Sequence, residues 1–463
     1  MIKTDVLICG YGIGGLMSAY YCNQNNIKHV VIEKNNFPGG LSNLSHGAFA
    51  TSNNVKKTIK YLNQTNNHLR SPEHTKTMAQ GMYDIKAELE KIAIQVGASV
   101  DHIDNINELK YKFDGKESIG CSQLHGLEDS LLENFNPFIH FGNQKNRGWQ
   151  TVYFLSKYNE KHGTVVLYGN EAKHIDNSKN VVTTNREKIS YKKLIVATGG
   201  YESNKTMQLE NTSSSNETEI LNYGPWFNTG DGIKMLNQIG AMNYHMWHVH
   251  GSYAFKHPED SSIGLRVGSQ CRHVIVDENG YDLVNVDHTD PSDTRIRPLL
   301  NNSQASANKL KAFFVSDESN RQKGRFASAK YISYKKFNYN KWSDNNILEI
   351  KKGILYAAKD YESLARYIGC EVDAIQRTLK AHKTKLKKPF LVGQVFPMIA
   401  NTQGGPQRNH YSQVLDSFGV PIPNIYSVGE IGSWWSHLYL SSGNWAEALI
   451  GSKIAIKHIS EDI

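Results

Sequence analysis

One stretch constrains this chain more than any other. Val6-Leu7-Ile8-Cys9-Gly10-Tyr11-Gly12-Ile13-Gly14-Gly15 is followed, one helix length later, by Val30-Val31-Ile32-Glu33-Lys34. An apolar run enters Gly10-x-Gly12-x-x-Gly15, an amphipathic stretch follows, and a second apolar run ends in an acid. Two buried parallel strands joined by a crossover helix have this pattern. Gly10 permits a tight turn, Gly12 lets the main chain approach a pyrophosphate, and Gly15 lets helix and strand pack closely, with Gly14 in the same turn. Amides at the start of the helix face the diphosphate, and Glu33, beside Lys34, accepts hydrogen bonds from a ribose. Strand, glycines, helix, strand and acid in that order are far more specific than a glycine triplet, and they predict a Rossmann-like dinucleotide-binding unit.

The rest of the chain returns to this chemistry only at its end. Lys193-Leu194-Ile195-Val196-Ala197-Thr198-Gly199-Gly200 is a further buried strand running into a glycine turn. Short strands of an antiparallel insert are expected over 163–173 and 181–189, and a polar surface loop over 211–219. From about 241 to 397 aromatics and lysines dominate, with a hairpin expected at 273–284 around Asn279-Gly280 and helices at 361–369 and 372–382. Sheet-like glycine turns resume at Gly404-Gly405, then Ile425-Tyr426-Ser427-Val428-Gly429-Glu430, and a helix is expected over 444–459. The expected fold is α/β: a discontinuous Rossmann-like unit from 1–240 and 398–463, and an inserted α+β capping domain over 241–397.

Composition narrows the function class. The net charge is +8 with Lys and Arg spread along the chain, and no basic run interleaved with aromatics points to a nucleic-acid groove. Five cysteines show no paired spacing and read as reduced thiols rather than disulfides or a zinc site. Nineteen histidines include His245, His248 and His250, but no HExxH or cysteine partner accompanies them, so no metal is expected. The fingerprint leaves no room for a signal peptide after Met1, and no apolar run approaches the roughly 20 residues that cross a bilayer. The expectation is a cytoplasmic protein with no membrane span.

The ordered segments are similar to the flavoprotein family of fumarate reductases, succinate dehydrogenases and 3-ketosteroid dehydrogenases. They are the opening fingerprint, Gly39-Gly40-Leu41-Ser42, Ala197-Thr198-Gly199-Gly200, Thr229-Gly230-Asp231-Gly232 before Gly240-Ala241, and Gly404-Gly405. Gln413-Val414-Leu415-Asp416, Val428-Gly429-Glu430 and Gly443-Asn444-x-Ala446-Glu447-Ala448-Leu449 complete the set. The resemblance runs end to end, is weakest over about 250–395, and implies FAD as the cofactor. It places Glu33 at the adenosine ribose, Ala172 at the adenine through its main chain, Gly40, Leu41 and Ser42 along pyrophosphate and flavin, and Glu430 at the ribityl chain. It also implies that Asn444-Trp445 opens a helix whose amides face the flavin N1/O2 edge and stabilise the anionic reduced ring. Gly47 and Asp231 complete the expected cofactor residues. Some members carry FAD covalently on a histidine several residues before a small Gly-Gly pair. Here that position falls near Leu41, with His46 just before Gly47-Ala48, so FAD is expected to be held non-covalently. With no second fingerprint and no CxxC, electrons are expected to pass to or from a separate carrier.

Departures from the family guide the chemistry. The Arg-Gly pair of fumarate reductases falls at about Ser269-Gln270, with Arg266 and Arg272 out of register. The histidine before Gly404-Gly405 is Asn401, and no arginine precedes Gly443-Asn444. A dicarboxylate buried without those cations would cost several kcal/mol. The segment Tyr439-Leu440-Ser441-Ser442-Gly443 instead resembles ketosteroid dehydrogenases, which carry a tyrosine four residues before a glycine. That resemblance implies a Tyr439 hydroxyl and a Gly443 amide donating to a ketone oxygen, and a base in the inserted domain, Tyr253, with His248 or His250 as alternatives. The implied activity is α,β-desaturation of a cyclic or steroid-like ketone. An enoate reductase running the reverse reaction and a non-catalytic flavin-binding protein remain the alternatives.

Overall fold

The first apolar run forms the strand Ile2–Cys9 and the second forms His29–Glu33, with helix Ile13–Gln24 crossing between them. The computed structural model describes residues 1–106, 112–128, 131, 135, 139–140, 147–212, 219–222, 226–268, 271–283, 311–328, 333–334, 342–434 and 438–463. Strand Lys188–Val196 pairs in parallel with Ile2–Cys9, and Pro421–Ser427 pairs in parallel beyond it. Both ends of the chain therefore build one eight-stranded sheet. A parallel sheet is covered on both faces, which is why its strands read as unbroken apolar runs, and His29–Glu33 is buried throughout. Strand Val165–Tyr168 adds to the edge of this sheet, parallel to His29–Glu33, rather than joining the antiparallel insert expected over 163–173. The insert is built from Ala172–Asp176, Val181–Thr184 and the start of Lys188–Val196. A short β-branched run has the same pattern at either position, so its partner is chosen by packing.

Helix Ile13–Gln24 buries Ile13 through Cys22, and the C-terminal helix Gly443–Ser460 lies against it. The hydroxyls of Ser18 and Ser452, one from each helix, both reach the Gly14 carbonyl oxygen at 2.8 and 3.0 Å. That convergence pins the C-terminal helix to the glycine turn.

A second eight-stranded sheet runs in the order Val274–Asp277, Ala312–Asp317, Phe390–Thr402, Val249–Lys256, Gly264–Val267 and Ala327–Ser328, with Leu221–Asn222 and Tyr356–Ala358 also pairing to Phe390–Thr402. The turn at Asn279-Gly280 forms, with the Asp277 N–H donating to Tyr281 O at 2.9 Å, but the main partner of Val274–Asp277 is Ala312–Asp317. Helices Tyr361–Ile368 and Val372–Ala381 pack on this sheet. The first is delimited by a capping box between Asp360 and Ser363 and by Gly369 at φ 90. Strand Phe390–Thr402 runs past the expected limit at 397 and carries Asn401 and Thr402 back toward the glycine turn. The 211–219 loop and Ser269-Gln270 lie mainly or wholly outside the described residues.

Candidate functional site

A long cavity opens over the carboxyl ends of the parallel strands. Gly10, at φ +97, closes the first strand, and a Cβ there would sit 2.5 Å from Ala197 O. Gly15 lies behind the turn, where a Cβ would meet Gly10 O at 1.9 Å, so it is a packing residue rather than a wall of the cavity. The walls include Gly10, Gly12, Gly14, Glu33, Lys34, Gly40, Leu41, Ser42, Ala172, Ala197, Thr198, Gly199, Asp231, Gly429 and Glu430. Gly200 is turned away from this space and packs against the Thr402 hydroxyl.

Glu33 is 7% exposed, and its carboxylate accepts the Tyr11 N–H and the Asn35 N–H, both at 2.8 Å. Burial raises its pKa, with the two amides and Lys34 pulling the other way. The Lys34 ammonium pairs with Asp231 at 2.8 Å and donates to Thr229 Oγ1 at 3.1 Å. Burial raises the Asp231 pKa, but the hydrogen bond and charge of Lys34 outweigh it and leave the carboxyl below its ordinary value. The two fingerprint neighbours thus differ: Glu33 keeps lone pairs for a ligand, while Lys34 fastens the helix Asp231–Gln238 across the cavity.

A second cavity of about 640 Å³ meets the first at Ile13, Leu41, Ser42 and Glu430. Gly47, Tyr439, Asn444 and Trp445 line it, as do His46, Arg147, His250, Arg266, Asn401 and Ser442. Tyr439 stacks on His250 with ring centroids 3.9 Å apart and planes at 21°. A bulge brings these groups together: His250 pairs with Asn401 but Gly251 pairs with Ile399, leaving Ala400 as the extra residue. Glu430 Oε1 at the junction and Asn444 Oδ1 in the second cavity are buried with no hydrogen-bond partner among the described residues.

Two expected catalytic residues stand differently. Tyr253 is 2% exposed and packs in the apolar core of the second sheet with Phe255, Leu265 and Phe314; it lines neither cavity. His250 and Tyr253, an odd number of positions apart on one strand, face opposite sides of it, the first toward the cavity and the second into the core. Gly443 begins the C-terminal helix, and its N–H donates to Leu440 O at 2.9 Å, so that amide is already bonded. Ser442, at φ +66, makes the turn that produces this bond.

Of the residues that hold the loop carrying Glu430, only Glu447 belongs to a motif read from the sequence; Arg408 and Arg70 belong to none. Arg408, 1% exposed, donates to the carbonyls of Ser427 at 2.8 Å and Gly432 at 3.0 Å, and pairs with Glu447. Glu447 accepts the Trp434 N–H at 2.9 Å, and Arg70 donates to Trp434 O at 2.7 Å. Arg266 and Asn401 were visible only as departures from a motif, and the fold brings both to the second cavity. Among the described residues no cluster of His, Cys, Asp or Glu could hold a metal ion, and no helix is long and apolar enough to cross a membrane.

The atoms present fit FAD. A glycine-lined turn opens onto helix amides, a buried carboxylate beside it has lone pairs to spare, and two buried polar oxygens on the cavity walls lack a partner. The sequence profile of the FAD binding domain family matches residues 5–444. A relative, the probable fumarate reductase Ifc3 of Shewanella frigidimarina (strain NCIMB 400), is 23% identical over 501 residues, spanning 98% of this chain and 74% of the relative. Among solved structures, the 3-ketosteroid Δ1-dehydrogenase of Sterolibacterium denitrificans, in complex with 1,4-androstadiene-3,17-dione, superposes with a TM-score of 0.80 at 15% identity over 100% of both chains. The open conformation of a flavocytochrome c3 fumarate reductase gives 0.70 at 19% identity over 99% of this chain and 78% of the other. The 3-ketosteroid-Δ4-(5α)-dehydrogenase of Rhodococcus jostii RHA1, with 4-androstene-3,17-dione, gives 0.66 at 16% identity over 99% and 97%.

Proposed function

The chain belongs to the FAD binding domain family, and from that premise we propose that it is an FAD-dependent oxidoreductase that desaturates the α,β bond of a cyclic ketone. The observation that carries the reading is Tyr439 stacked on His250 in a cavity that opens onto the glycine-lined one. FAD, when bound, supplies the two-electron acceptor for the β-hydrogen. The Tyr439 hydroxyl donates to the ketone oxygen as negative charge develops there, which is worth roughly 3 kcal/mol for one such donor. Polarising the carbonyl acidifies the α-hydrogen, and His250, within the same cavity, takes that proton in place of the core-bound Tyr253. The inserted sheet supplies His250, Arg266, Ala400 and Asn401 to the wall, and this cap excludes water from the reacting carbons. A separate electron carrier then reoxidises the protein.

A second reading is favoured by Arg266. Arg266 lines the cavity with no ion pair among the described residues, which suits the reverse reaction, reduction of an α,β-unsaturated acid. Anaerobic flavin spectroscopy separates the two. Bleaching of the oxidised protein by a cyclic ketone supports the desaturase. Reoxidation of dithionite-reduced protein by an enoic acid, without bleaching by ketones, supports the reductase. Neither response would reduce the protein to a flavin-binding module. Because Leu41 offers no nucleophile, the flavin should leave on acid precipitation; colour retained in the pellet would overturn non-covalent attachment.

A further inference from the structure

We infer that the substrate is an oxygenated ring ketone rather than a wholly apolar one, and that the Arg147–Asp101 pair at the rim of the second cavity selects it by holding a neutral hydroxyl borne away from the ketone. The inference rests on the ketone-desaturase reading and names the substrate class of the same site.

The cavity wall suits a polar guest. Apart from the cofactor-side Leu41, Ser42, Glu430, Asn444 and Trp445, sixteen described residues line it, and only Ile13, Leu44, Ala48 and Ala400 among them carry hydrocarbon side chains. Ligand pockets are ordinarily lined by hydrophobic and aromatic groups with a few polar ones. A guest without further oxygen would strip water from these side chains and return no hydrogen bonds, which opposes its binding.

One wall is a three-stranded sheet of Ala48–Ser52, Ile119–His125 and Ser99–Ile103. Ala48 pairs with Gln123 and Gln123 with Asp101, so the three stand in one row across the sheet, and all three line the cavity. Two strand spacings put Asp101 about 10 Å from Ala48. The Ala50 N–H donates to Ser442 O at 3.1 Å, which fastens the Ala48 end of the row to the loop that carries Tyr439. The row thus leads from that loop to a charged rim.

At the rim, Arg147 Nη1 donates to Asp101 Oδ2 at 2.7 Å, and His125 Nε2 lies 3.1 Å from Asp101 Oδ1. The Arg147 N–H donates to His46 O at 3.2 Å, which fixes its backbone against the cavity wall. The Arg147 hydrogen bond, opposed by partial desolvation and joined by the charge of His125, holds the Asp101 carboxyl below its ordinary value. The Arg147–Asp101 pair is therefore ionised without net charge, while the guanidinium keeps further N–H donors and the carboxylate further lone pairs. A hydroxyl, which both gives and takes a hydrogen bond, matches such a pair. A carboxylate meets the charge of Asp101 there and an ammonium that of Arg147, so neither matches. Arg266 enters from the inserted sheet, where it pairs with Ala254, and stands on a different element.

The test titrates oxidised holoenzyme with three matched probes: a bare decalone, a hydroxydecalone with its hydroxyl on the ring remote from the ketone, and the corresponding carboxydecalone. Each dissociation constant is read from the shift of the flavin spectrum. The hydroxydecalone should bind about tenfold more tightly than the other two. Asp101→Asn leaves the charge of Arg147 unmatched, so the carboxydecalone should become the tightest of the three. Arg147→Met should bring the hydroxydecalone to the level of the bare ketone. Should either variant fail to hold flavin, the wild-type order decides. Bleaching by the same probes is read separately: binding in the expected order without bleaching sinks the desaturase and leaves the rim assignment standing. Equal constants in the wild type, no spectral response to any probe, or an order unchanged in Asp101→Asn would overturn the rim assignment.

Discussion

Replacing Glu33 with alanine removes an acceptor that serves both the apoprotein and the ligand. Its two oxygens hold the N–H groups of Tyr11 and Asn35, each at 2.8 Å, and Tyr11 is 1% exposed. Water cannot readily replace the carboxylate at Tyr11, and an orphaned buried amide costs about 1–3 kcal/mol. The flavin-free variant should therefore melt at a lower temperature. On the ligand side, a charge-assisted bond to a ribose hydroxyl is worth about 1.5–3 kcal/mol, so the FAD dissociation constant should rise roughly tenfold to a hundredfold. Glu33→Gln separates the two effects, because its single oxygen can serve only part of the set; its loss should be intermediate. Fluorescence titration of FAD into the flavin-stripped proteins measures affinity, and thermal melts of the same samples measure the apoprotein. A Glu33→Ala protein that binds FAD within about twofold of wild type would refute the ribose assignment.

Three further outcomes follow from the geometry. Tyr439→Phe keeps the ring stacked on His250 and should retain the flavin spectrum, while flavin reduction by a saturating ketone slows by roughly 10²–10³-fold; an unchanged rate would exclude the hydroxyl as donor. Arg266→Met should weaken carboxylate ligands about tenfold or more without affecting neutral ketones, read as perturbation of the flavin spectrum, and equal losses for both would mean the guanidinium only shapes the wall. His74 is half-buried beside Arg70, His410 and Arg408, its Nε2 sits 2.8 Å from Arg408 O, and loss of solvent is the largest reason its pKa falls to about 4. Its unfolded value is higher, so the stability it contributes is present above about pH 6.5 and is lost as pH falls toward 4. For a partly exposed ring this amounts to about 1–2 kcal/mol, and His74→Asn should flatten that part of the denaturant-midpoint profile.

Local rules made the nucleotide half of this protein legible. Gly10, Gly15 and Glu33 answer to steric and hydrogen-bonding demands that arise within a single strand-helix-strand unit, so their spacing alone places them in the turn and at the strand end. The C-terminal helix was legible for the same reason, since its apolar face and the glycine before it are local features. Whether Val165–Tyr168 pairs in parallel or antiparallel fashion was not written in its residues, because pleat and β-branching are the same in both.

The catalytic half rests on longer-range decisions. Tyr253 and His250 are three residues apart on one strand and so face opposite sides of it, and what packs against each side makes one face core and the other cavity wall. The Gly443 amide is occupied because Ser442 turns at positive φ and brings Leu440 O within reach, a geometry no motif specifies. Arg408, Arg70 and Glu447 lie far apart in sequence and become one network only when buried around the loop that carries Glu430. The sequence by itself determined the glycine turn and the acid that ends the second strand, because those requirements are met within one strand-helix-strand unit. The tertiary structure decided which side chains share the second cavity and which carboxylates stay unpaired, because desolvation and register depend on residues hundreds of positions away.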